Sequence, residues 1–243
     1  ASGAWVGALT AIGALLGWSS IPFFITHFSH TIDPWTSNGW RYGFAAFCWL
    51  PVILIGVARA TLPPAAWRSA LIPAAFNSAG QACFTYSFYL LDPALVTFSL
   101  RLQIVSVTIG AAMLFPSERR IIGTRWYFLG LALVFGGTLL TVYLDDEFGT
   151  KATTEGVLLA IISGLFFAAY GLAVRRCMKG IGSLLAFAII SLYTAAAMVI
   201  LMLIFGDSLG DPIADEILSA LRARPDGMTR TDLRDFFGRH RTA

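Results

Sequence analysis

The sequence predicts an all-α fold, a polytopic transmembrane helix bundle of about seven spans ending in a short hydrophilic tail. Three observations predict it. The chain is 57% hydrophobic and only 13% charged, where a soluble domain carries about a quarter charged residues to coat its surface. Seven apolar runs approach the roughly 20 residues that a bilayer core about 30 Å thick demands of a helix. The charges are also uneven: residues 1–206 hold eleven Lys/Arg and seven Asp/Glu, nearly all at the ends of apolar runs, while residues 207–243 hold six and seven. A formal charge of +3 is too small to suggest a polyanionic partner.

Taken in order, the expected spans are residues 5–24, 40–56, 71–91, 94–115, 126–144, 156–174 and 184–205. The first begins near Ala1 with no basic segment ahead of it and no clean small-x-small site after it, so it reads as a span and not as a removed signal. Its Gly3/Gly7 and Gly13/Gly17 pairs have the spacing that lets helix backbones approach closely. Pro34, Pro63-Pro64, Asp92-Pro93, Pro116 and the Gly180/Gly182 stretch break the chain between spans. Alternate loops carry the basic residues: Arg59 and Arg68, then Arg119, Arg120 and Arg125, then Arg175, Arg176 and Lys179, against Lys151 alone in the others. The positive-inside rule then puts the N-terminus in the cytoplasm.

Signatures of soluble enzymes are absent: no phosphate-cradling Gly-rich loop with a Lys-Ser/Thr pair and no His-Glu-x-x-His. His27, His30 and His240 all fall outside the spans, which leaves no nucleophile triad. His27 and His30 beside Asp33 read as polar loop residues and not as metal ligands. Cys48 and Cys83, inside apolar runs, read as buried inert thiols; with Cys177 they show no disulfide or metal spacing. The expectation is no catalysis and no cofactor.

Polar groups within spans are costly and mark function more often than structure. Arg101 and Gln103 share the fourth span, about 10 and 14 Å from its start at 1.5 Å per residue, which sets Gln103 near the midplane. Arg101 is shallow enough to snorkel. Asn77 and Gln81 lie four apart on one face of the third span, placed to line a cavity or to bond a neighbouring helix. Arg41 opens the second span, where interfacial anchoring competes with solute contact. No Asp or Glu lies at depth, so the embedded charges are cationic and favour an anionic or hydrogen-bond-accepting solute.

Several segments carry a family likeness. Leu16-Gly17-Trp18-Ser19-Ser20, Arg41-Tyr42-Gly43-Phe44-Ala45 and Phe115-Pro116-Ser117-Glu118-Arg119, followed by the Gly-rich stretch 130–137, occur in the order and spacing of one family. The chain resembles the EamA-type permeases of the drug/metabolite transporter superfamily, which are built from two five-helix repeats. The resemblance covers roughly residues 4–206 and implies a first repeat at 1–145 and a partial second repeat of two helices at 146–206. It makes Trp18 and Tyr170 counterparts in the first helices of the two repeats, and adds both to the candidate solute contacts. A small solute and the lipid bilayer are the implied partners, a second copy of the chain a further one, and the bacterial inner membrane the implied location. Gln103 stands near the place where the family carries a helix-breaking Pro, and the chain lacks three helices of the second repeat.

The tail, 207–243, reads as two short amphipathic helices. Asp211-Pro212 forms a capped start, Pro225-Asp226-Gly227 a turn, and Thr229 with Asp232 a second cap. Although helix-turn-helix-like and Arg-rich, it follows seven spans and falls on the outer side, so nucleic acid is an unlikely partner. A permease gene truncated and joined to unrelated coding sequence is the expected origin. A small-solute permease is therefore the first reading; the alternatives are a membrane-anchored regulator using the tail, or a seven-helix sensor.

Overall fold

The computed structural model describes residues 2–29, 31–144 and 152–206. His30, the acidic loop Asp145, Asp146 and Glu147 with Lys151, and the expected tail helices lie outside the described residues. Those that are described form helices joined by short turns: α1 (Ser2–Phe28), α2 (Pro34–Ala58), α3 (Pro64–Leu90), α4 (Pro93–Leu100), α5 (Leu102–Leu114), a 3₁₀ turn (Pro116–Glu118), α6 (Arg119–Ile122), α7 (Arg125–Tyr143), α8 (Thr154–Cys177) and α9 (Ser183–Phe205).

The helices run past most of the apolar spans because polar caps extend them beyond the hydrocarbon. Asp33 Oδ1 accepts from the N–H groups of Trp35 and Thr36 at 2.9 and 3.0 Å, and Pro34 occupies the first helical position, where a missing N–H costs nothing. The second span thus starts six residues before its apolar run. Pro64 and Pro93 open α3 and α4 in the same way. Thr153 Oγ1 caps α8 by accepting from the Gly156 N–H at 3.1 Å. Gly180, at φ 87°, provides the left-handed residue in the turn between α8 and α9.

Among the described residues five stretches are long and apolar enough to cross a membrane: Trp5–Phe28, Pro34–Ala58, Pro93–Leu114, Thr154–Cys177 and Ser183–Phe205. The pair Pro116–Ile122 and Arg125–Leu140, bent by 71°, is a sixth where it acts as one span. The expected third span is α3, whose 27 residues reach about 40 Å at 1.5 Å per residue. It is absent from those stretches because Asn77, Gln81, Thr85 and Ser87 dilute its hydropathy. A helix wrapped by other helices need not be apolar all round.

Packing explains that tolerance. α3 lies against α2, α8 and α9, and α8 also meets α4 and α5. Small side chains set the distances, as expected where lipid removes the hydrophobic drive. Ala66, Ala70 and Ala74 of α3 are buried with Ala186, Ile189 and Ile190 of α9. Toward the other end of α3, Phe84 and Phe88 join Val96 and Phe167 in a second apolar cluster. By contrast α1 and α7 turn large side chains outward, with Phe23 78% and Leu133 69% exposed. Cys48 is exposed as well, contrary to the expected buried thiol, because it lies on an outward face of α2; Cys83 and Cys177 are half-buried.

Gly80 is a point of close approach in the α3–α8 seam. A Cβ there would sit 2.9 Å from the Phe167 ring and 3.3 Å from Phe166 Cβ, whereas one at Gly13 would meet nothing within 4 Å. Overpacking costs about 1–3 kcal/mol. Gly80→Leu is therefore expected to lower stability by about that amount in detergent melts, and Gly13→Leu to leave the melting temperature within error.

Candidate functional site

The sequence candidates separate into two groups. In the first, α3 presents Asn77, Gln81 and Thr85 at intervals of four, a stripe along one side of the helix. α2 answers with Asn38 and Arg41. The Arg41 guanidinium donates through Nη2 to Gln81 Oε1 at 3.4 Å, Asn38 Nδ2 donates to the Gln81 carbonyl at 3.4 Å, and Thr85 Oγ1 donates to Asn38 Oδ1 at 2.8 Å. Asn77 points to α9 instead and donates to Thr194 Oγ1 at 3.0 Å. Thus the stripe's amides bond neighbouring helices, one of the two uses open to them from sequence.

Arg41 stands at the start of the apolar run of α2 but not at the start of the helix. Because α2 begins at Pro34, Arg41 falls on the second turn, about 10 Å inside the helix end. Its Nη1 is enclosed and finds no hydrogen-bond partner among the described residues. The guanidinium also lies over the Tyr42 ring, 5.4 Å from its centroid.

The second group lies along α8. The α4–α5 break at Arg101 packs against Gly164, where a Cβ would meet Gln103 Cβ at 3.6 Å and the Leu100 carbonyl oxygen at 3.8 Å. The interruption falls at Arg101, two residues before Gln103 and without a Pro; Arg101 keeps helical φ and ψ of −62° and −23°, and Pro93–Leu114 runs on as one span. Gln103 is half-buried and its amide has no hydrogen bond among the described residues; Arg101 is exposed at the break itself. One turn further along α8, Phe167 meets the Trp18 ring edge-on at 6.5 Å and the Phe84 ring at 5.8 Å. Trp18 remains 54% exposed. Tyr170, three residues on, packs beside the alanine cluster.

Cavities flank α8 at its two ends. One of about 570 Å³ is lined by Thr26, Ser29, Tyr89, Asp92 and Thr153, at the end where α1 and α3 finish and α8 begins. The other, about 360 Å³, lies between α8 and α9 at the basic end, with Tyr170, Arg175, Lys179 and Ser183 in its wall. At this second end Arg175 Nη2 donates to Glu118 Oε1 at 2.6 Å, and its guanidinium lies 4.4 Å from the centroid of the Phe115 ring. That hydrogen bond with Arg175 holds the Glu118 carboxyl below its ordinary 4.5, and the opposite charge adds to it.

Asn38, Thr85 and Thr194 were missed from sequence. Asn38 precedes the apolar run of α2, and the hydroxyls read as ordinary helix residues; only the i, i+3 spacing of Asn38 and Arg41 hinted at a shared face. Among the described residues no group of His, Cys, Asp and Glu could hold a metal ion, and His27 makes only a ring contact with Phe28.

A family model described as the EamA-like transporter family matches residues 5–143. No curated protein matches the chain, and no solved structure does.

The Glu118–Arg175 pair has a definite pH signature. A depressed carboxyl stabilises the fold above its ordinary value, and that contribution is lost as pH falls through the depressed one. Melting temperature followed downward from pH 6 is expected to drop below pH 4.5, and Glu118→Gln to flatten this limb. An unchanged limb in the variant would detach the pair from stability.

Proposed function

The chain belongs to the EamA-like transporter family, a membrane transporter family, and from that premise we propose a permease that moves a small metabolite or drug-like solute across the bacterial inner membrane. Its N-terminus lies in the cytoplasm. The loop charges support this orientation, since the basic loops after α2, around α6 and after α8 fall at one end of the bundle.

One observation carries the reading of the site. The Gln103 amide stands at the α4–α5 break, half-buried against Gly164 of α8, with no hydrogen bond among the described residues. Leaving such a group without a partner in hydrocarbon costs several kcal/mol at the upper end of about 2–7. Interrupted helices near the midplane are where membrane carriers place substrate, because a broken helix leaves backbone and side-chain groups free to bind it. Gly164 lets that break sit against α8, and the Trp18–Phe167–Tyr170 series lines the same helix. The cavities at the two ends of α8 are the entry and exit of this path.

In this path Gln103 and Trp18 contact the solute, Asn77 and Gln81 shape its wall through their bonds to α9 and α2, and Tyr170 faces the cytoplasmic cavity. Arg101, exposed at the break, stands at the edge of the path. The site contains no nucleophile and general-base pair among the described residues, and the work assigned to it is binding and release.

Reconstitution tests the assignment. Purified chain in vesicles, offered a panel of labelled metabolites, is expected to take up one class above empty vesicles. Gln103→Ala is expected to reduce that uptake about three- to tenfold, the worth of one hydrogen bond, with an unchanged melting temperature. Full uptake by a folded Gln103→Ala variant would move the site elsewhere.

A further inference from the structure

Arg41 presents an unbalanced charge. It lies about 10 Å inside the end of α2, and Nη1 is enclosed with no partner among the described residues. Its Nη2 makes a long 3.4 Å contact to a neutral amide oxygen, Gln81 Oε1, and the Tyr42 side chain also interacts with the guanidinium. No described acidic side chain lies within ion-pair distance of it; the ion pair among the described residues is Glu118–Arg175. Asp33, the carboxylate nearest in sequence, caps α2 through Oδ1. Tyr42 offers its ring face, which lowers the cost of the cation without neutralising it.

A guanidinium cannot shed its proton to escape that cost. Arg41 is half-buried, and enclosing its Nη1 without a partner is unfavourable; an anion at that nitrogen would complete it. The planar fork matches carboxylate and phosphate oxygens; beside it Asn38, which accepts from Thr85, donates to the Gln81 backbone carbonyl and ties α2 to α3. The neighbouring amides and hydroxyls supply donors and no negative charge.

We propose that Arg41 recognises an anionic oxygen group on the transported solute, making this a carrier of carboxylates or phosphate esters. The inference rests on the permease reading and adds the substrate class to it. Arg41 is the specificity determinant, while Gln103 and the aromatic series accept the remainder of the solute.

The test offers carbon skeletons each as carboxylate, amide and ammonium to the full chain in phosphatidylcholine vesicles, the four-carbon set being succinate, succinamide and putrescine, with glycerol phosphate added. Uptake is expected for the anionic members. Arg41→Gln is expected to lower it about tenfold or more, the scale of a hydrogen bond to a charged group, and Arg41→Lys to restore part of it. Equal or better uptake of the amide or ammonium members by the unmutated chain overturns the inference and leaves the permease standing; this arm holds even where Arg41→Gln fails to fold. Undiminished anion uptake by folded Arg41→Gln overturns it too. A second arm adds phosphatidylglycerol to the purified chain in neutral detergent. Stabilisation by that lipid, lost in Arg41→Gln without any change in solute uptake, assigns the guanidinium to a headgroup and overturns the inference. Uptake of no member at all defeats the permease reading and the substrate class together.

Discussion

The structure depends on how α3 satisfies a polar stripe inside an apolar solvent. Asn77, Gln81 and Thr85 lie on a helix that lipid alone cannot accommodate, since amides and hydroxyls in hydrocarbon must find partners. They find them on α2 and α9, through Arg41, Asn38 and Thr194. Enclosing α3 then follows: its alanines admit α9, and Gly80 admits the Phe167 ring of α8. With the polar helix at the centre, the largely apolar α1 and α7 are left at the margin, where their exposed side chains suit a hydrocarbon environment.

Such an arrangement separates holding from binding. Hydrogen bonds of the α2–α3–α9 network join helices, so Asn77 and Gln81 serve the fold before they serve a solute. Two groups escape that use: Gln103, whose amide has no bond among the described residues, and Nη1 of Arg41. Arg41 Nη1 is enclosed, whereas the Gln103 amide is half-buried beside Gly164. Arg175 shows the opposite case. At the exposed end of α8 it has Glu118 and the Phe115 ring, and acts as a tie between the fourth span and α8.

Much of this was readable in advance because bilayer physics simplifies the code. Apolar runs of span length, Pro at the loops and alternating loop charge located the helices, and short motifs around Trp18, Arg41 and Glu118 suggested the family whose model covers residues 5–143. The edges were less readable. Hydropathy marks where hydrocarbon ends, whereas Asp33 and Thr153 cap helices beyond that limit. Arg41 accordingly opens the apolar run but not the helix, which begins with Pro34. Cys48 was misjudged for a related reason: an apolar run does not distinguish the face turned to protein from the face turned outward.

By itself the sequence determined that this is a membrane helix bundle, which loops share a side, and which few polar residues are dear enough to matter. Those properties follow from composition and order along the chain, because each span meets the same solvent whatever its neighbours do. Tertiary structure alone decided which polar groups are spent. Asn77 and Gln81 share a face, yet one bonds α9 and the other α2; Gln103 comes to rest on Gly164 with its amide unused. Helix rotation and neighbour choice assign those partners, and both are set by contacts between residues 40 to 117 positions apart in the chain.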